Sequence, residues 1–332
     1  SCYIFNISLV LRLCRSLKLA LPGVRIALGG PEVAYRPAEV LLENPCVDFV
    51  LSGEGEESVP QLLRALAAGA DLAAVSGLSY RRGGDVCRTP EAAPLPPARW
   101  PDPYPGGIAG LEKRILYVET SRGCPFHCKY CLSPAAGKVR ALDAEEAVAR
   151  LTRLADQGAA LIKLVDRTFN FDPRRADAIW RGLIKHSART GRAPTYHFEI
   201  GAHLLDEASL RVLREAPKGL FQFEAGIQST DPGTLGAVGR GASFAALRAP
   251  LKAVLALGTI HLHVDLIAGL PGEDIKRFAR SFDDAFSLGA QRLQLGFLKL
   301  LPGSELGAAP EKYGLVCESD PPYEVISTRE MR

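Results

Sequence analysis

The sequence predicts an α/β protein built from a partial doubly wound parallel sheet and a partial (β/α)6 barrel of the TIM type. Two observations lead to this fold class. Strand-like runs that end in glycine turns alternate with helical segments in residues 1–85, and further strand–helix repeats follow a proline-rich stretch. A chain of 332 residues is long enough to hold two such domains.

The first part, residues 1–85, begins with apolar residues at helical spacing over 9–21, and Pro22-Gly23 ends this helix. The segment "VRIALGGPEV" then predicts a short strand that ends in a tight glycine turn. The segment "VDFVLSGEGEES" repeats the order of strand, glycine turn and helix. Ligands of doubly wound sheets bind at the carboxyl ends of the strands, although tight turns also need glycine for backbone reasons.

Residues 86–113 are predicted to form a stiff interdomain linker, because proline disfavours regular structure. The prolines that carry this prediction are Pro90, Pro94, Pro96, Pro97, Pro101, Pro103 and Pro105.

Residues 114–303 are predicted to form the barrel. The strand-like runs are 115–120, 161–166, 195–200, 221–227, 260–267 and 292–298, with amphipathic helical segments at 143–157, 173–188 and 206–215. Six units over this length fall short of the eight of a complete barrel, so the barrel is predicted to be partial. A second open doubly wound sheet is the alternative. Residues 304–332 read as a tail that leads to a further, absent C-terminal domain.

Composition excludes several classes of protein. Hydrophobic content of 47% with 23% charged residues is typical of a globular protein, and a net charge of +3 gives no footprint for nucleic acid or an anionic membrane. The sequence shows no membrane-spanning run and no signal peptide, so a reducing cytoplasm is the expected location. Because the chain opens with Ser1 and its single methionine is Met331, we expect it to be a fragment or a processed chain.

The stretch "CPFHCKYC" places Cys124, Cys128 and Cys131 in a C-x3-C-x2-C pattern. A structural zinc site normally needs two C-x2-C pairs or added histidines. Four cysteines complete the ligand set of an iron–sulfur cube, so three predict a [4Fe–4S] cluster with one iron left open. An open metal position can bind a substrate or cofactor directly.

This motif, which follows the strand "RILYVETS", resembles the signature of the radical S-adenosylmethionine (SAM) enzymes. The resemblance implies that the free iron chelates SAM. Electron transfer from the cluster would then cleave SAM into methionine and a 5′-deoxyadenosyl radical.

Later segments extend the resemblance and imply SAM-binding residues. The segments "FEIGA", "FEAGIQS", "LGAVGRG" and "DLIAGLPGE" match the family's later strands and place Glu199, Gln228, Arg240 and Asp265 at the cofactor. The family's glycine-glycine motif after strand two is replaced by "VDRTFN", where Asp166 or nearby carbonyls would serve instead. Phe126, inside the cysteine motif, completes the predicted SAM set. "GLPGE" is expected to have a cofactor role rather than to be only a turn.

Strand alternation gives an independent argument, because residues two apart share one face. The residues predicted to point into the barrel with the SAM set are Glu119, His197, Gln222, Glu224, His261 and His263. Burying so many polar groups is costly unless they bind something, so the interior is predicted to be an active site. His186 and His203 are expected to be ordinary core or surface residues. The five cysteines outside the motif are expected to be packed or idle thiols.

The segments "ALGGPEVAYRP" and "VDFVLSGEGEES" resemble the later half of the cobalamin-binding domain attached to one class of radical SAM enzymes. The resemblance implies that Gly29, Gly30, Gly53 and Gly55 line the nucleotide-tail side of cobalamin. The D-x-H-x-x-G motif that ligates cobalt in some members would precede Ser1 and does not occur in this sequence. Cobalamin is therefore expected in the full-length protein, whereas its binding by this chain stays open.

The resulting hypothesis is an oxygen-sensitive, cobalamin-dependent radical SAM enzyme that transfers a methyl group or forms a ring at an unactivated carbon. We expect a small-molecule substrate and an electron donor such as flavodoxin or ferredoxin. Two alternatives remain: a radical SAM enzyme without functional cobalamin, and a non-catalytic zinc-binding scaffold.

Overall fold

The computed structural model describes residues 1–133 and 137–331, and it divides into two compact units. The first unit comprises residues 1–101, 299–308 and 317–324, and the second comprises residues 102–298, 309–316 and those from 325 onward.

The first unit contains a four-stranded sheet. Its strands, in the order in which they pair, are β1 (Ala27–Gly29), β2 (Phe49–Leu51), β3 (Leu78–Arg82) and β4 (Asp85–Arg88). Strands β1 and β2 are parallel, as predicted, whereas β3 and β4 join antiparallel. The prediction of a linker from residue 86 was therefore wrong at its start, because 86–88 pair with β3. Gly83-Gly84 is a two-residue hairpin signal that the sequence already contained.

Four α-helices accompany this sheet. They are α1 (Ile7–Ala20), α2 (Pro31–Ala34), α3 (Pro37–Glu43) and α4 (Gly55–Ala68), with 3-10 turns at Leu72–Ala74 and Pro97–Arg99. Helix α4 ends at Gly69, whose φ of 61° is the left-handed conformation that favours glycine. Cys2 and Cys14 pack in the core with the strands, which agrees with their expected role as packed thiols.

The second unit contains a sheet of six parallel strands whose spatial order is their chain order. The strands are β5 (Ile115–Val118), β8 (Leu161–Leu164), β9 (Thr195–Glu199), β10 (Phe221–Gln228), β11 (His261–Ala268) and β12 (Arg292–Phe297). Every neighbouring pair is parallel. Among the described residues β5 and β12 each pair on one side only, so the barrel is open, as a six-unit count predicted.

Helices follow the strands of the second unit. They are α5 (Ala144–Asp156), α6 (Pro173–Thr190), α7 (Glu207–Arg214), α8 (Pro232–Ala237), α9 (Phe244–Leu257) and α10 (Ile275–Phe286), with 3-10 turns at Ala202–Leu204 and Pro310–Tyr313. The N-cap side chain of each of these six helices accepts a hydrogen bond from a backbone N–H. In α5, for example, the backbone N–H of Glu146 donates to Asp143 Oδ1 at 2.8 Å. Such caps explain where these helices begin.

The two faces of the barrel strands differ in chemistry. One face packs aromatic side chains against the helices: Trp180 of α6 is fully buried and contacts Phe198 and Phe223. The other face carries the polar residues. Along β10 the side chains alternate strictly between buried and half-buried, so the pleat itself separates the apolar core from the barrel interior.

The predicted tail, residues 304–332, is less separate than expected, and its last residue lies outside the described part of the chain. It contains α11 (Glu305–Ala308) and the short strands β13 (Val316–Cys317) and β14 (Val325–Ser327). Within the first unit, the Tyr323 hydroxyl donates to buried Glu32, and Arg36 donates to Glu32 at 2.7 Å. Part of the tail thus completes the first unit. Among described residues no helix is long and apolar enough to cross a membrane.

Candidate functional site

The cysteine motif occupies a loop at the carboxyl end of β5. Two short strands, β6 (Ser121–Arg122) and β7 (Arg140–Ala141), pair and close the base of this loop. At Gly123 the φ is 92°, and a Cβ there would lie 3.1 Å from the carbonyl oxygen of Gly137. The loop therefore requires glycine immediately before the first cysteine.

All three cysteines line one cavity, and the protein contacts each thiol. Cys124 Sγ lies 3.4 Å from Thr168 Oγ1, and Arg240 Nη1 lies 3.9 Å from Cys128 Sγ. The backbone N–H of Ser133 points to Cys131 Sγ at 3.4 Å. These contacts fix where each sulfur lies, and the thiolate form of cysteine is the one that binds metal.

Five of the six predicted SAM residues line this same cavity: Phe126, Glu199, Gln228, Arg240 and Asp265. Three of them hold buried polar atoms that find no hydrogen-bond partner among the described residues, namely Gln228 Oε1, Arg240 Nε and Asp265 Oδ1. Orphaned buried polar atoms are rare, and at a cavity wall they mark where a polar ligand binds. The donor set thus fits both predicted groups: thiolates for iron, and amide, guanidinium and carboxyl groups for a polar cofactor.

Gln228 sits in a strained backbone conformation. Its φ is 69°, in the left-handed region that non-glycine residues seldom adopt, and a β-bulge between Gly226 and Gln228 shifts the register with β11. A Cβ at Gly226 would collide with the Gln228 side chain. The bulge and the glycine together aim Gln228 into the cavity, and such strain is concentrated at functional sites.

Asp166 does not line the cavity, so its predicted role as a SAM ligand is not supported by this geometry. Its fully buried carboxylate accepts bonds from Thr120 N at 2.7 Å, from the Thr120 hydroxyl and from Ser121 Oγ at 2.8 Å. Burial raises the pKa of Asp166, while these bonds act in the opposite direction. Asp166 therefore anchors the segment that leads into the cysteine loop, because strand alternation turns it away from the interior.

Sequence reasoning missed several cavity residues, and His203, expected to be an ordinary core or surface residue, also lines the cavity. Tyr130 lies between the second and third cysteines, and its hydroxyl is 3.4 Å from Arg240 Nη1. Arg167 and Thr168 belong to "VDRTFN", where Asp166 was chosen instead. Alternation from Lys163, which faces the interior, would have favoured Arg167.

A layer of polar side chains extends from the cavity, which Glu224 lines, into the barrel interior, as the alternation predicted. His197 Nε2 lies 2.9 Å from Glu224 Oε2, and Gln222 Nε2 lies 2.7 Å from His263 Nε2. Burial first, and then His261, lower the pKa of His263 to about 4, so this ring is neutral. His261 is exposed and ends the layer.

Two further residues that the sequence singled out, Glu273 in the predicted cofactor segment and Glu119 in the predicted interior set, have structural partners. Glu273 of "GLPGE" is fully buried, does not line the cavity, and accepts from Ser229 at 2.6 Å and Ser281 at 3.1 Å. It ties the end of β10 to α10. Glu119 accepts from Arg122 Nε at 2.7 Å beside the cysteine loop.

The four glycines predicted for cobalamin lie together at the carboxyl ends of β1 and β2, where a ligand of a parallel sheet binds. Their reasons for being glycine differ. A Cβ at Gly30 would lie 2.7 Å from backbone atoms of Cys2, so packing alone explains it. Gly53 has a φ of 83° and open space beside it, which leaves room for a ligand. The cobalamin role of Gly29, Gly30, Gly53 and Gly55 stays a prediction.

An open parallel barrel with three thiols and orphaned polar atoms at the carboxyl ends of its strands defines a metal- and cofactor-dependent enzyme class. A family model described as the radical SAM superfamily matches residues 118–285, just over half of the chain, and a B12-binding domain model matches residues 1–63. The chain belongs to the radical SAM superfamily. This membership confirms the predicted SAM and [4Fe–4S] cofactor class, and the second match confirms the predicted type of the first domain.

Individual relatives agree with this assignment. The 2-(S-pantetheinyl)-carbapenam-3-carboxylate methyltransferase of Streptantibioticus cattleyicolor is 28% identical over 95% of this chain and 49% of its own length. The anaerobic magnesium-protoporphyrin IX monomethyl ester cyclase of Synechocystis is 30% identical over 65% of this chain and 49% of its own length. The chain thus spans about half the length of these relatives.

Among solved structures, the radical SAM methyltransferase TsrM from Kitasatospora setae, with cobalamin and a [4Fe-4S] cluster bound, has a TM-score of 0.78 and 17% identity. The match covers 98% of this chain and 68% of that chain. At this identity the likeness shows the fold, which is the partial barrel and sheet that the sequence predicted.

Replacing Asp265 by asparagine is expected to stabilise the cofactor-free protein at alkaline pH. Burial, and then Glu224 and Glu199, raise the pKa of Asp265 to about 7. A raised pKa means that the stabilising proton is fully present below pH ~4 and is lost as the pH rises to about 7. The asparagine amide cannot ionise, so we expect a gain of about 2–3 kcal/mol at pH 8 and little change at pH 4.5. Urea unfolding at both pH values measures this.

The matched control is Asp283→Asn on the exposed surface of α10, which should change stability at neither pH. Equal effects of Asp265→Asn at pH 4.5 and pH 8 would contradict the assigned protonation state.

Proposed function

We propose that this chain carries the core of an enzyme that reductively cleaves SAM at a [4Fe–4S] cluster held by Cys124, Cys128 and Cys131. We further propose that the enzyme uses this chemistry for cobalamin-dependent methyl transfer to a small-molecule substrate. The observation that carries the proposal is the convergence of three thiols and three orphaned polar side chains on one cavity.

The residues have distinct roles in this proposal. When bound, the cluster supplies the electron that splits SAM and yields a 5′-deoxyadenosyl radical. Arg240 places its guanidinium beside Cys128 and would pair with the SAM carboxylate. Gln228 Oε1 and Asp265 Oδ1 have no hydrogen-bond partner in the described part of the chain and would accept hydrogen bonds from the ribose hydroxyls. Glu199 and Phe126 line the wall and would orient the cofactor.

The names of the relatives support the proposed type of reaction, methyl transfer. Methyl transfer is the named activity of the Streptantibioticus relative and of TsrM. Ring closure is the second candidate, because the Synechocystis relative is named a cyclase. The B12-binding match over residues 1–63 supports cobalamin dependence. A radical SAM enzyme without functional cobalamin is the alternative that the test must separate.

Partners follow from the chemistry. Reductive cleavage consumes one electron from outside, so a donor such as flavodoxin or ferredoxin is expected in the cytoplasm. The near-neutral charge of +3 gives no basis for a nucleic-acid substrate.

Anaerobic reconstitution with iron and sulfide tests the proposal. We expect about four irons and four sulfides per chain. Under reducing conditions the reconstituted protein should form 5′-deoxyadenosine from SAM, and chromatography measures this product. Zinc without sulfide would instead favour a scaffold. Hydroxocobalamin is then added to the reconstituted protein, and the visible spectrum is recorded after gel filtration. Retained cobalamin separates the cobalamin-dependent enzyme from the cobalamin-free alternative.

A further inference from the structure

A charged layer that reaches the cavity through Glu224 has no role in the proposed function. Strands β8, β9 and β10 direct Lys163, His197 and Glu224 into the barrel. In the sheet register, Lys163 on β8 lies opposite His197 on β9. Glu224 on β10 lies opposite Glu199 on β9. His197 is buried, whereas the side chains of Lys163 and Glu224 are half-buried, 29% and 24% exposed. Charges in half-buried surroundings interact more strongly than charges in bulk water.

Glu224 is held on its lower side by two nitrogen donors. His197 Nε2 lies 2.9 Å and Lys163 Nζ lies 3.3 Å from the same oxygen, Oε2. The hydrogen bond from His197, and then Lys163, lower the pKa of Glu224 to about 2. Glu224 is therefore a fixed anion, and its position is set from below rather than by the cofactor.

Asp265 faces this fixed anion from β11. Its pairing partner on β10 is Gly226, two residues after Glu224 on the same face of that strand, and the Gln228 side chain fills the space that a Cβ at Gly226 would need. The charged groups that act on Asp265 are Glu224, Glu199 and Lys163, and both of these glutamates line the same cavity as Asp265. Two neighbouring carboxyls cannot both ionise cheaply, so the proton resides on Asp265.

We propose that Glu224 is a positioning residue for SAM: its carboxylate accepts the hydrogen bond of a protonated Asp265 and thereby turns Asp265 Oδ1 toward the cofactor ribose. SAM binding then requires one proton on the carboxyl pair, and the site weakens once that proton is lost. This inference rests on the proposed function, since it assigns a protonation state to the SAM site.

A metal ion is the alternative occupant of this layer, because ligand atoms of His197, Glu224 and His263 lie within 4.8 Å of one another. Lys163 argues against it. Its ammonium already supplies the positive charge beside Glu224, and a divalent ion would have to displace it.

The test measures SAM affinity against pH by calorimetry on the anaerobically reconstituted, oxidised chain, which does not turn over. The SAM amino group also titrates, so the wild-type Kd at each pH is compared with the Kd of Asp265→Asn at the same pH. The asparagine amide cannot ionise, and it can still donate a hydrogen bond to Glu224. We expect the ratio of the wild-type Kd to the Asp265→Asn Kd to be constant below pH ~6.5. Above pH ~7 it should rise about tenfold per pH unit.

Two variants should move this break in opposite directions. Glu224→Gln removes the like charge, so Asp265 loses its proton about one pH unit earlier or more; Lys163→Met removes a cation and moves the break higher. Glu215→Gln, an exposed change at the end of α7, should leave the break unmoved. A merely structural role would not produce opposite shifts.

The outcomes are separable. A ratio that does not depend on pH, or shifts of the same sign in Glu224→Gln and Lys163→Met, overturns this inference alone. A reconstituted chain that binds no SAM at any pH overturns the proposed function and this inference with it. Binding of one zinc per chain in a Cys124/Cys128/Cys131→Ala variant, lost on His263→Ala, would replace it by the metal alternative.

Discussion

Replacing Cys128 by alanine is expected to abolish SAM cleavage, with product below about 1% of wild type. Cys128 is the most buried of the three motif thiols and the one contacted by Arg240. A cube that already lacks a fourth protein ligand has no thiolate to spare, so the loss of one leaves two irons without protein sulfur. Iron content after reconstitution and the rate of 5′-deoxyadenosine formation measure this effect.

Cys46→Ala is the matched control, because Cys46 is a free, half-buried thiol of the first unit. It should retain full iron content and full cleavage. Cleavage that survives in Cys128→Ala, with iron content unchanged, would remove the cluster assignment.

Replacing Asp166 by alanine is expected to cost about 3 kcal/mol of stability and most of the reconstituted iron. The change leaves the Thr120 N–H, the Thr120 hydroxyl and the Ser121 hydroxyl without their acceptor in a fully buried site. Each unsatisfied buried donor costs about 1–3 kcal/mol, partly relieved by rearrangement. Thr120 and Ser121 lead directly into the cysteine loop, so its geometry loosens with them.

Urea unfolding and iron analysis together measure this result, and Asp166→Asn should give a smaller loss because the amide keeps one acceptor. Asp283→Ala, which alters an exposed carboxylate on α10, should stay within about 0.5 kcal/mol of wild type. If Asp166→Ala were as stable as wild type and only the Kd for SAM rose, Asp166 would be the SAM ligand that its sequence position first indicated.

The barrel was predictable because its signals are strong and local. Each of the six strands starts within two residues of its predicted position. The strand-like apolar runs are bounded by glycine or polar turns, which mark the limits of each strand in the sequence. The cysteine loop was predictable for a different reason: all its ligands lie within eight consecutive residues. Five cavity residues beyond the cysteines came from resemblance, and alternation alone would have placed three of them on the same face.

What the sequence did not reveal depends on contacts distant along the chain. Asp166 and Thr168 are two residues apart in one loop, yet one anchors Thr120 and the other faces Cys124. That distinction appears only when the end of β5 lies beside β8. The fixed charge of Glu224 likewise arises from Lys163 and His197, which are separated from it by 61 and 27 residues.

The open edge of the barrel has a practical consequence for handling this protein. Strand β12 leaves one side of its backbone unpaired among described residues, and Leu295 and Phe297 on it are 47% and 72% exposed. Such an edge offers a template on which another copy can add a strand. Concentrated solutions of this chain should therefore aggregate on storage, and Phe297→Lys is expected to reduce this aggregation.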